Sequence, residues 1–143
     1  MCRMAWLGSD HELPVRECPA HAKGLVMTIT PDTSTWAKSC LKSKHVYALG
    51  HNGGCACHFG QGGVLAWDGD PRVLSADEER ARSELADFLR IAVRQGNVDL
   101  LMTWEGEFKP KATESAICSP DAVTEQSFEF AESPKLVRFN RSA

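Results

Sequence analysis

The segment "SADEERARSELADFLRIAVRQG", residues 75–96, constrains the fold more than any other part of the chain. Ala81, Leu85, Phe88, Leu89, Ala92 and Val93 recur at helical spacing, while Glu78, Glu79, Arg82, Glu84 and Arg90 fall mainly on other faces. Ser75 with Glu78 three residues on is a capping box, and acidic residues fill the first turn. Arg94 sits in the last turn, followed by Gly96 as a left-handed cap. An amphipathic helix over 76–95 is expected, with its charged face in water. Directly after it, "VDLLMTW" alternates Val98, Leu100, Met102 and Trp104 against Asp99, Leu101 and Thr103, the period of a largely buried strand.

Further strands are expected at 3–7, 25–30, 45–49, 64–67, 127–131 and 136–139. The last two flank "ESPK", where Pro134 favours a turn, and so read as a terminal hairpin. "CSPDAVTEQ" carries a Ser-Pro helix start, and "PDTSTWAKSCLKSK" accommodates a short helix that packs Trp36 and Cys40 inward. The expected fold is α+β: a single domain over residues 1–143, with a mixed or antiparallel sheet covered by one long helix and a hairpin at the end. At 143 residues the chain is long enough for a modest core without covalent staples.

No apolar run approaches the ~18 residues of a membrane span. The start, "MCRMAWLGSD", lacks the basic and then long apolar pattern of a secretory signal, so a cytoplasmic protein is expected. The net charge is only -3, with Lys and Arg scattered among acidic residues, so nothing announces a nucleic-acid surface. In a reducing compartment the six cysteines are expected as thiols. Cys40 and Cys118 stand alone and are assigned to packing.

The chemistry concentrates in "HNGGCACHFG", residues 51–60, with two thiols and two imidazoles among glycines. A phosphate loop needs Lys and then Ser or Thr after its last glycine, and covalent haem attachment needs two residues between its cysteines; neither is present. A dinucleotide fingerprint opens a helix, which this loop does not, and a phosphatase-type thiol loop needs an arginine nearer than Arg72. What remains is Cys55 and Cys57 with His58 adjacent. In an extended stretch residues two apart point to one side, so the two sulfurs face one point, which suits zinc or another thiophilic metal. About four ligands complete such a site, and the candidates are Cys2, Cys18 and His21 of "CPAH", His51 and His11. The loop reads equally as a glycine-rich bend with two small buried cysteines.

Loss of the initiator methionine would leave Cys2 with a free amine, an arrangement in which thiol and amine of one residue act as nucleophile and base. "MCR" is similar to the start of class II glutamine amidotransferases, whose N-terminal cysteine attacks the glutamine amide. More broadly, "MC", "LGSD", Leu13-Pro14, "VYALG" and "GCACHFG" resemble a group of small uncharacterised bacterial proteins that begin Met-Cys and later carry Gly-Cys-x-Cys-x-Phe. That resemblance implies no activity, but it directs attention to Cys2, Cys55 and Cys57 as a three-thiol cluster. Three functions stay open. One is a zinc-binding protein using Cys2, Cys55 and Cys57, with His58 or His51 as fourth ligand. Another is a thiol enzyme or redox protein with Cys57 or Cys2 as nucleophile. The last is a domain that binds a protein partner and has a purely structural loop.

Overall fold

The computed structural model of the chain describes residues 2–16, 24–29, 35–52, 55–63, 69, 72–104, 112, 114–130 and 134–141. Six strands form one sheet: β1 (Arg3–Ser9), β2 (Leu25–Ile29), β3 (His45–His51), β4 (Val98–Trp104), β5 (Glu114–Cys118) and β6 (Lys135–Phe139). Their order is β2-β3-β1-β4-β6-β5, antiparallel throughout except for the parallel pair β5 and β6. The fold is therefore α+β with a mixed sheet, and β1 lies between β3 and β4 near its middle.

Two α-helices accompany the sheet, α1 (Thr35–Leu41) and α2 (Ala76–Ala92). The capping box is present: the Glu78 amide donates to the Ser75 hydroxyl and the Ser75 amide donates to the Glu78 carboxylate. Ala81, Leu85, Ala86, Phe88 and Leu89 of α2 share a core with Ala5, Leu7, Leu49, Leu100, Val137 and Phe139. Alternate residues of the same strands, Trp6, Val46 and Leu101, pack with Ala37 and Leu41 of α1. The sheet thus buries apolar side chains on both faces, with a helix against each. Trp36 meets Trp6 edge to face with centroids 5.5 Å apart, and Cys40 lies half-buried in that second cluster. Among the described residues no helix is long and apolar enough to cross a membrane.

The expected terminal hairpin is not formed. Residues 127–130 make no strand, and β6 pairs with β4 and β5 instead. The physical reason lies in where the backbone groups of that segment bond. The Phe130 amide donates to the Gln61 carbonyl, the Gly63 amide donates to the Gln126 carbonyl, and the Phe128 carbonyl accepts from Arg82. The expected strand at 64–67 lies outside the described residues. In place of the hairpin, β5 fills the sheet edge, followed by a 3-10 turn at Pro120–Thr124 where the Ser-Pro start predicts a helix.

Arg82, expected on a solvated face, is completely buried. Its Nε donates to the Phe59 carbonyl at 2.6 Å and its Nη2 to the Gly60 carbonyl at 3.3 Å. Its Nη1 reaches the carbonyls of Val123, Glu125 and Phe128 at 3.2, 3.2 and 2.8 Å. The guanidinium also lies over the Phe130 ring, 4.9 Å from its centroid. Burial pushes the Arg82 pKa down to about 10, against the favourable charge of Glu78, so the side chain remains a cation at neutral pH. Gly62 belongs to the same seam: at φ +67 an added Cβ would lie 2.2 Å from the Phe128 carbonyl oxygen.

Arg82→Leu takes a donor from five carbonyls at once, of which that of Glu125 alone keeps a backbone partner among the described residues, the Phe128 amide, and is expected to lower stability by about 3–5 kcal/mol, the cost of breaking a buried charged network. Arg80→Leu removes only an exposed pair with Asp77 and should leave the unfolding midpoint nearly unchanged. Urea denaturation of the two variants checks the contrast.

Candidate metal and thiol site

The chain reverses direction after β3, and the His51 amide donates to the Cys55 carbonyl at 3.2 Å. Ala56, at φ -94 and ψ 11, leads into a 3-10 turn at Cys57–Phe59. The stretch is therefore a tight turn, not the extended segment on which sequence spacing would rely. Ala56 and Phe59 are fully buried in the core, while Cys55 and Cys57 are half-buried on either side of Ala56. The Ala56 amide donates to the Arg3 carbonyl at 2.9 Å, and the Arg3 amide donates to Cys57 Sγ at 3.3 Å. Both groups of one peptide-chain residue thus clasp the loop to the start of β1, next to Cys2.

The sulfurs of Cys2, Cys55 and Cys57 lie within 4.8 Å of one another, close enough to hold a metal ion. No other such group of three or more His, Cys, Asp or Glu ligands occurs among the described residues. The five described cysteines are free thiols. Cys18 and His21 lie outside the described residues. His11 is elsewhere, bonded to the Ser9 hydroxyl at 2.8 Å and the Ala92 carbonyl at 2.9 Å, in a structural role at the end of α2.

Neither His51 nor His58 belongs to the sulfur group. His58 is exposed, and its ring centroid stands 6.2 Å from that of His51. His51 is buried, with Nε2 3.3 Å from the Glu84 carboxylate and Nδ1 without a hydrogen-bond partner among the described residues. Glu84 also accepts the Leu25 amide at 3.1 Å, so this carboxylate ties α2 to β2 and β3.

The two loop thiols are electrostatically unequal. Burial pushes Cys57 up, but hydrogen bonds from the Arg3 amide and from the Cys55 and Cys2 thiols, with the Arg3 charge, outweigh it and hold Cys57 below the ordinary thiol value. Cys55 is raised, first by burial and further by the thiols of Cys57 and Cys2, against the hydrogen bond from the Cys57 backbone. One sulfur is thus prepared to be the thiolate and the other to be its donor.

Sequence reasoning passed over three residues that build this site. Arg3 supplies the clasp and places its guanidinium over Trp104, 4.7 Å from the ring centroid, while Nη2 donates to Gln61 Oε1 at 3.0 Å. Its adjacency to Cys2 was the available signal. Glu84 and Arg82 read as solvated positions of an amphipathic helix, and no local pattern distinguishes them from neighbours that are. A groove of about 280 Å³ between residues 11–16 and α2 is floored by Phe88 and Ala92; none of the three thiols lines it.

No protein-family model matches this chain, and no curated protein and no solved structure shows significant similarity to it.

In reduced, metal-free protein Cys57 is expected to be alkylated faster than Cys55 at neutral pH. A lowered thiol pKa means a larger thiolate fraction at any pH below it, so the Cys57 rate should level off at lower pH than the Cys55 rate. Mass mapping of iodoacetamide labelling across a pH series measures both.

Proposed function

We propose that this chain is a metal-binding protein that holds one thiophilic ion, zinc by its donor chemistry, through Cys2, Cys55 and Cys57. The observation that carries the reading is the mutual approach of three sulfurs within 4.8 Å. With Zn–S bonds of about 2.3 Å, tetrahedral geometry places sulfurs about 3.8 Å apart, so only a small inward movement separates the present arrangement from a loaded one. The thiols are held by elements distant in sequence, β1 and the loop after β3, so an ion would join the two and add to stability.

The fourth donor in this reading is an imidazole that swings in from outside the sulfur group. His51 is favoured over His58. Its Nε2 is engaged by Glu84 and its buried Nδ1 has no partner among the described residues, the arrangement in which a carboxylate fixes the tautomer and leaves the other nitrogen available. The reading also places the chain in the cytoplasm, where thiols stay reduced. A second reading, thiol chemistry at Cys57, is favoured by the opposed shifts of Cys57 and Cys55.

Elemental mass spectrometry on untagged protein purified under reducing conditions without chelator tests the reading. About one equivalent of zinc per chain is expected, lost in Cys55→Ser. Metal at background level with every thiol titratable would defeat it.

A further inference from the structure

We propose that the same three thiols, when free of metal, reduce hydroperoxides, with Cys57 as the attacking sulfur and Cys2 as the thiol that closes the disulfide. The inference shares its residues with the metal reading but does not require that an ion binds.

Three features of the structure suit such a reaction. The first is a reachable nucleophile held in position. Cys57 is half-buried and its sulfur accepts the Arg3 amide at 3.3 Å. The second is a donor for the oxygen that departs when the O–O bond breaks. Arg3 Nε is buried and has no hydrogen-bond partner among the described residues. It belongs to the very residue whose amide holds Cys57, and its guanidinium is fixed by Trp104 and Gln61. A buried guanidinium N–H without an acceptor is costly in a finished structure, and we assign it to the peroxide oxygen, which requires the side chain to turn toward the Cys57 sulfur.

The third feature is a second thiol, and two lie within 4.8 Å of Cys57 Sγ, those of Cys55 and Cys2. A Cys55–Cys57 disulfide would close a ring across the single residue Ala56, which is fully buried and pinned by its amide to the Arg3 carbonyl. Disulfide geometry is exacting, and that turn has no freedom to meet it. Cys2 lies on a different segment, before the first residue of β1, and approaches without such a constraint.

The chemistry balances as follows. The Cys57 thiolate attacks the terminal oxygen of a hydroperoxide, and the O–O bond breaks. Cys57 becomes a sulfenic acid, oxidised by two electrons, and the departing alkoxide takes a proton and leaves as an alcohol, or as water from hydrogen peroxide. The Cys2 sulfur then attacks the Cys57 sulfur and displaces hydroxide, which leaves as water with the Cys2 proton. A low-molecular-weight thiol restores the pair by two successive exchanges, itself becoming a disulfide.

The test uses the full chain, reduced and stripped of metal, with hydrogen peroxide added stoichiometrically. Peroxide should disappear about ten-fold or more faster than with free cysteine, two thiols should be lost per peroxide, and peptide mapping should join Cys2 to Cys57. Cys2→Ser should still consume one peroxide and leave a sulfenic acid on Cys57, trapped by a carbon-acid reagent, whereas Cys40→Ser, outside the sulfur cluster, should retain the disulfide. Peroxide consumption at the rate of free cysteine, or a disulfide between any other pair, would overturn the proposal, and wild-type protein alone decides both points. Because every arm is run without metal, a chain that binds no zinc can still pass, and a zinc-binding chain can fail.

Discussion

The arrangement around the thiols depends on one buried cation. Arg82 reaches from α2 to five carbonyl oxygens, two in the 57–60 turn and three in the 123–128 segment. Those segments carry carbonyls that no strand or helix satisfies, and a buried carbonyl without a donor is costly. A planar guanidinium with several donors resolves five of them from a single side chain, where a lysine ammonium offers only three. The guanidinium lies over the rings of Phe130 and Phe128, 4.9 and 5.8 Å from their centroids, and Phe59 stacks on Phe130 with centroids 5.2 Å apart. Arg82 therefore joins the cysteine turn, the glycine connection and the C-terminal irregular segment to the helix that covers one face of the sheet.

Arg3 does for the thiols what Arg82 does for the turn. Its backbone holds Ala56 and Cys57 from both sides, and its side chain brings a positive charge to the sulfur it has fixed. Position and electrostatics thus have one source. Ala56 and Phe59, driven into the core, leave the two sulfurs at the boundary between core and solvent, where Cys2 meets them. Such an arrangement suits a metal or a redox step alike, because both require thiolates brought together by structure that does not itself react.

The sequence pattern is informative where one side chain periodicity dominates. The capping box at Ser75 and the apolar stripe of α2 are local, and so is the strand at "VDLLMTW"; all appear in the structure, although the helix ends at Ala92 with Val93 as its cap, short of the expected Gln95 and Gly96, and the strand is buried on both faces. β5 escapes the pattern because its polarity is inverted: the small Ala116 and Cys118 pack inward while the large Ile117 is 67% exposed. Residues 127–130 mislead in the opposite sense, since Phe128 and Phe130 are apolar and alternate, yet their backbone groups are claimed by Arg82 and the 60–63 loop. Nor does any local rule separate the buried Arg82 from the exposed Arg80 two positions earlier; only the carbonyls that arrive from distant segments decide it. The convergence of Cys55 and Cys57 is legible from their spacing, although a turn and not an extended strand produces it, and the role of Arg3 depends on a contact 54 residues apart in sequence.

In the proposed loaded state, three sulfurs from two distant segments form one coordination sphere. X-ray absorption at the zinc edge, on protein loaded with one equivalent of zinc, reads that shell. Three sulfur scatterers at about 2.3 Å with one nitrogen or oxygen at about 2.0–2.1 Å are predicted. A first shell made mainly of nitrogen and oxygen, or one that is unchanged when Cys2 is replaced by serine, would contradict it.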